Sequence, residues 1–388
     1  MGLVAAGVLV LIAAAIFWSP SAWRMVGPAP VITPPLNGKA VDTPITSSFG
    51  TGPALPPGLS DSAFWRMIRE FSEPGGYFMY ENFLSNERSY QVPIPSLIKS
   101  VKSGGVYVGV GPEQNFTYIA AVRPQMAFIV DIRRQNMVEL LMYKALFSMA
   151  PTRAEFVSLL FSRAKPNGLS ERSTAEDLFE SFSRVRPDRQ LFQENLKHLK
   201  EHLPGLATED QDTIEYVYNV FFSVGPDLSY SSVSPGPSGP TYEQLMTLRD
   251  SEGRNWSYLA GEERYQYLKE MQRQNLIIPI VGDFSGPKAI RTVARYLKDH
   301  SAVVSAFYLS NVEMYILPSP QWKAFCANVA ALPVDPSSRF IRFVVGGYAR
   351  YLRRDFGSAS LISPMIDVLT GETKGYPPSY YDLLRASQ

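Results

Sequence analysis

The chain has 388 residues, 45% hydrophobic and 19% charged, which is enough for one large domain or two ordinary ones and excludes a disordered, collagen-like or coiled-coil protein. Lys and Arg number 37 against 36 Asp and Glu, a net charge of +1, so the basic surplus of a dedicated nucleic-acid binder is missing and no nucleic-acid partner is expected. A single cysteine, Cys326, rules out an internal disulfide framework and Cys-rich metal sites, and with only 3 histidines no metal is expected.

Gly2 to Trp18 (GLVAAGVLVLIAAAIFW) is an unbroken apolar and glycine run, just long enough to cross a hydrocarbon core of about 30 Å as a helix. Residues 1–18 are therefore expected to meet a membrane, as an uncleaved anchor or as a cleaved signal peptide. Arg24 and Lys39 follow the run and no Lys or Arg precedes it, the charge order of an anchor whose body is cytoplasmic. Export of the body to the periplasm or cell envelope is the alternative. No Cys stands directly after the run, which excludes a lipoprotein. Residues 19–57, rich in Pro, Gly, Ser and Thr, read as an extended tether. The folded body is expected over 58–388.

The polar residues at 60–63 precede AFWRMIREF, where Phe64, Ile68 and Phe71 recur at helical spacing, so a helix opens the body. Beyond the turn at Pro74, Gly75 and Gly76, and an aromatic-studded polar segment over 80–91, five apolar, β-branched runs predict buried strands. They are VYVGVG (106–111), MAFIVDI (126–132), NLIIPIVGDF (275–284), AVVSAFYL (302–309) and RFIRFVV (339–345). Helical stretches over 287–299, with Ser285 as its cap, and over 321–331 separate the last three. Such alternation predicts an α/β fold: a doubly wound, mostly parallel, Rossmann-like sheet. Capping-box signatures at 152–155, 173–176 and 208–211 mark 137–274 as a large helical insertion between the second and third strands, interrupted by the loop SYSSVSPGPSGP (229–240).

The chemistry is expected at the carboxyl ends of these strands, where open α/β sheets hold ligands. Gly109 and Gly111 close the first strand, and Asp131 closes the second, 22 residues after Gly109, the spacing at which an acid accepts from a ribose. At the third strand's end, Asp283 is placed to accept from an exocyclic amine and Phe284 to cover an aromatic ring. Asn311 and Glu313, at the end of the fourth, are candidates to orient or deprotonate a substrate, and Asn82 and Glu87 to line the same crevice. His198 and His202 reproduce the H-x-x-E-H spacing of some zinc peptidases. They lie off the stripe of Phe192, Leu196, Leu199 and Leu203, however, which predicts a solvated helix face.

The order VYVGVG, IVDI, PIVGDF, AFYLSN and a final strand resembles class I S-adenosylmethionine-dependent methyltransferases over roughly Phe78 to Val345. The VVGD-like and LSNVE-like segments also resemble those of a bacterial protein family with no assigned reaction. The resemblance implies S-adenosylmethionine as cofactor, with Gly109 and Gly111 at its methionine part, Asp131 at its ribose, and Asp283 with Phe284 at its adenine. It implies methyl transfer to a small-molecule or protein acceptor by an enzyme whose catalytic residues would be drawn from Asn311, Glu313, Asn82 and Glu87. Tyr107 stands where that superfamily has an acid, and Glu113 where it has a third glycine; Gln114 replaces the third glycine of the dinucleotide fingerprint, which weakens a nicotinamide reading. Pro112 removes a backbone donor, and Glu113 at a helix opening disfavours an anion there. A catalytically silent binding or scaffolding protein of the same fold, in the envelope, is the competing expectation.

Overall fold

A computed structural model describes residues 53–233, 236, 239–317, 319–351, 358–367 and 379–385, all in one compact unit. The expected membrane segment, 1–18, and the tether up to residue 52 lie outside the described residues. Among the described residues, no helix is long and apolar enough to cross a membrane.

The body opens with α1 (Asp61–Phe71) and α2 (Ile94–Ser100), then β1 (Val106–Gly109), α3 (Gln114–Val122) and β2 (Met126–Asp131). Helices α4 (Arg134–Met149), α5 (Arg153–Phe161), α6 (Ala175–Ser183), α7 (Arg189–Glu201), α8 (Gln211–Val224), α9 (Tyr242–Thr247) and α10 (Glu262–Arg273) follow. Strand and helix then alternate through β3 (Ile277–Val281), α11 (Ala289–Asp299), β4 (Val304–Ser310), α12 (Val312–Ile316), α13 (Gln321–Ala331), β5 (Arg339–Val345), α14 (Gly347–Tyr351), β6 (Ser358–Pro364) and α15 (Tyr380–Arg385).

The strands form one sheet in the order β3-β2-β1-β4-β5-β6. β1 to β5 pair in parallel and β6 runs antiparallel to β5. The protein is thus α/β with a mostly parallel sheet, in a strand order compatible with a Rossmann-like fold. That order reverses between β1 and β4, the kind of switch point beyond whose carboxyl ends open α/β sheets hold ligands. Sequence reasoning missed β6, SASLISP, because its small and polar residues lack the apolar run that marks a buried strand.

Layers cover both faces of the sheet, and adjacent residues of one strand serve opposite layers. Phe307 of β4 meets Phe284 at 4.9 Å, which in turn packs on Phe325 of α13; the next residue, Tyr308, meets Tyr118 of α3 at 5.1 Å. Phe128 of β2 stands on the Phe307 side, against Phe71 of α1 and Tyr296 of α11. Helix α4 is buried on every side, so it is a central helix without a polar face.

Caps depart from expectation in instructive ways. The Ser60 side chain accepts from the Ala63 amide and starts α1 as the sequence suggests. The box at 173–176 forms one residue later, between Thr174 and Asp177, while Thr152 and Asp210 make no side-chain cap. Ser285 does not cap α11: its amide and hydroxyl both donate to Asp283. The carboxylate of Glu73 does so from outside the helix, accepting from the amides of Lys288 (2.7 Å) and Ala289 (2.8 Å). A distant acid can replace a local cap because the first-turn amides need only an acceptor, wherever the chain supplies it.

Candidate functional site

The turn after β1 is held together by Asn115. Its Nδ2 donates to the carbonyls of Val110 (2.9 Å), Gly111 (3.2 Å) and Pro112 (2.7 Å), and its Oδ1 accepts from the Tyr107 hydroxyl (2.9 Å). Gly109 is required by this packing, since a Cβ there would stand 2.0 Å from Asn115 Oδ1. Gly111 differs. Its φ is +78°, a conformation that favours glycine, and a Cβ there would meet no atom within 4 Å although the residue is buried. The backbone at Gly111 therefore faces unfilled space at the turn that ends β1.

On the other side of the switch point, Ser310 ends β4 with a φ of +51°, an uncommon conformation for a residue with a side chain. Its hydroxyl donates to Glu87 at 2.6 Å, and the Tyr308 hydroxyl donates to the same carboxylate oxygen at 2.5 Å. Gln114 Nε2, at the start of α3, donates to the other oxygen at 2.9 Å. Glu87 therefore ties the start of α3, on the β1 side of the switch point, to the end of β4. Burial pushes its carboxyl above the ordinary value, against the lowering effect of hydrogen bonds from Ser310, Tyr308 and Gln114. Asn311 is half-buried beside Ser310, with its Oδ1 at 3.5 Å from the Ser310 hydroxyl.

At the end of β2, Asp131 is already paired. Arg133 donates to Oδ1 from its amide (2.8 Å) and Nε (3.1 Å), and to Oδ2 from Nη2 (3.0 Å). The same guanidinium donates to the Asn82 carbonyl and to Asn136 Oδ1, and Asn136 Nδ2 reaches the Gly111 carbonyl. This chain of bonds brings Asn82, Asp131 and the glycine turn together. The side-chain oxygen of Asn82 is buried without a partner.

The remaining residues singled out by sequence are engaged by other partners. Asp283 lies at the end of β3, two strands from β1, where it accepts from Ser285. Phe284 is a core residue between Phe307 and Phe325. Glu313 forms a buried ion pair with Arg342, at 2.5 and 3.0 Å, and Arg342 also donates to Ser363 on β6. His198 and His202 are exposed, as the stripe predicts.

Two acids that sequence reasoning either read only for its sign or passed over are prominent in three dimensions. Glu113 precedes α3 and Glu139 lies on α4; both are fully buried and none of their carboxyl oxygens has a hydrogen-bond partner. Burial pushes Glu113 up to about 8, and burial together with the nearby Glu113 pushes Glu139 well above the ordinary value. A carboxylate within the apolar run MVELLMY was the available signal for Glu139. The Asp131-x-Arg133 spacing was likewise the signal for that pair.

No curated protein matches the chain. One family profile does, over 82–222 and 240–356, about two thirds of the sequence, with its interruption falling on the Pro- and Ser-rich loop. The chain belongs to that family, described as Domain of unknown function (DUF7790).

Proposed function

We propose that this chain is a methyltransferase-like protein that binds S-adenosylmethionine at the β1–β4 switch point, on a body tethered to the membrane by its N-terminal segment and carrying 137–274 as a helical insertion. The observation that carries the reading is Gly111: a buried glycine at positive φ facing unfilled space, at the turn where doubly wound sheets bind ligands. Bound there, S-adenosylmethionine supplies an electrophilic methyl group. Glu87, with its carboxyl raised by burial, is placed to take a proton from an acceptor through the Ser310 hydroxyl, and Asn311 and Asn82 to orient that acceptor.

The two halves of this cofactor do not fit equally well. The glycine half finds space, whereas the ribose acid Asp131 has its oxygens taken by Arg133, and Asp283 and Phe284 are engaged by Ser285 and the core. Ribose binding by Asp131 requires Arg133 to turn away or to share its donors. Glu313 is likewise engaged, so a catalytic part for it requires Arg342 to share or yield its donors.

A second reading, a catalytically silent binding or scaffolding protein, draws on the same pairings, because each of those strand-end groups is already satisfied within the chain. Calorimetric titration with S-adenosylmethionine and S-adenosylhomocysteine, with NAD as control, separates the two. Saturable binding of the first two supports the transferase reading, and a folded protein that binds neither supports the silent one.

A further inference from the structure

Glu113 and Glu139 are the least explained groups in the described structure. Their four carboxyl oxygens lie in the interior without a hydrogen-bond partner from another residue, and Glu139 lies in the field of Glu113. The field of Arg133 also acts on Glu139, while the hydrogen bonds of that guanidinium go to Asp131, Asn82 and Asn136. The surroundings are aromatic. Phe116 meets Tyr143 at 5.3 Å and Tyr258 at 5.5 Å, and the field of Glu113 reaches both tyrosines. Gln114, also deeply buried, leaves its Oε1 without a donor.

Buried acids in an aromatic surrounding suit a positively charged group that brings N–H bonds with it: on binding, the acids release the protons that burial holds on them and take its charge and donors, and the ring faces take its apolar flank. A divalent metal suits the site less well, because among the described residues no three His, Cys, Asp or Glu converge. We propose that Glu113 and Glu139 form a buried site for the ammonium group of a small organic amine, with Phe116, Tyr143 and Tyr258 as its walls. The site stands on its own residues and does not depend on S-adenosylmethionine binding at the switch point.

The test is a thermal-melt and calorimetric series on the full-length protein at constant ionic strength. The probes are methylammonium, putrescine and tetramethylammonium, with sodium, magnesium and calcium chlorides as controls. A saturable rise in melting temperature is expected with methylammonium or putrescine, and a smaller one with tetramethylammonium, which has no N–H. Glu113→Gln and Glu139→Gln are each expected to weaken that binding by about tenfold or more, the loss of a charge-assisted hydrogen bond. Phe116→Leu, which alters the wall and leaves both acids, is expected to weaken it about threefold, the scale of one cation–π contact, and keeps the test decisive should a glutamine variant not fold. No shift with any amine beyond the sodium control overturns the proposal, as does unchanged amine affinity in the variants that fold. Saturable stabilisation by magnesium or calcium alone overturns it in favour of a metal.

Discussion

Arg133 grips Asp131 through its amide, Nε and Nη2 at 2.8 to 3.1 Å, and both side chains are under 10% exposed. A carboxylate that from its strand position reads as a ribose ligand is thus also half of a buried ion pair, and its replacement has a structural cost. Removing one member of such a pair leaves the other charged and unpaired in the interior, at a cost of about 3–5 kcal/mol. Asp131→Ala is expected to lose that much in urea unfolding, and the double variant Asp131→Ala with Arg133→Met to recover most of it. A single-variant loss below about 1 kcal/mol contradicts the pairing.

Glu313 and Arg342 make the same argument at the other end of the sheet, where both are 1% exposed and the arginine also anchors Ser363 of the edge strand β6. Glu313→Gln is expected to destabilise by roughly 3 kcal/mol and to loosen β6 first, seen as faster amide exchange over 358–364. Exchange that speeds up uniformly across the sheet contradicts a local role.

The two glycines of the β1 turn separate cleanly. Gly109→Ala forces a Cβ into Asn115 and is expected to cost about 3 kcal/mol or more, by overpacking and by breaking the turn that Asn115 holds. Gly111→Ala meets no atom and is expected to cost only the backbone strain of positive φ, about 1–2 kcal/mol. Equal melting-temperature losses for the two contradict the unfilled space beside Gly111.

The parallel strands and the helices between the later ones were legible because strands covered on both faces read as apolar runs, whereas β6 has no such run. Residue type and strand position brought Asn82, Glu87, Asp131 and Asn311 to one end of the sheet. Position along the chain said nothing of what each group already holds. Glu73 caps a helix more than 200 residues away, and Glu87 meets Tyr308 and Ser310 over a similar separation. Those partners are set by topology, which local periodicity does not encode. The Asp131–Arg133 pair was readable from two-residue spacing and shows that a strand-end acid must be weighed against its nearest cation.

The Glu73 cap has its own test. Glu73→Ala removes the acceptor for the amides of Asp283, Lys288 and Ala289, and about 1–2 kcal/mol of stability is expected to go with it. Glu73→Gln, which keeps an acceptor oxygen without the charge, is expected to restore about half. Chemical denaturation checks both, and a Glu73→Ala value near zero contradicts the cap.

Glu113 sets a pH dependence whose sign is fixed. Its folded-state value of about 8 lies above the ordinary 4.5, so between the two the folded protein holds a proton that the unfolded chain has lost. Stability with respect to this group is greatest below about 4.5 and falls as pH rises toward about 8. Glu113→Gln removes the ionisation, so its stability advantage over wild type is expected to grow through that window and to reach about 3 kcal/mol near pH 7. Unfolding free energies at several pH values check this, and an advantage that shrinks as pH rises contradicts it.

We propose the β1–β4 switch point as a ligand site. Its most direct test is calorimetric titration of the full-length protein with S-adenosylmethionine, in wild type and in Gly111→Val, whose side chain would fill the space beside the turn. Saturable binding by wild type is expected, and its loss in a variant that remains folded by circular dichroism. Undiminished binding by folded Gly111→Val, or no binding by folded wild type, contradicts it.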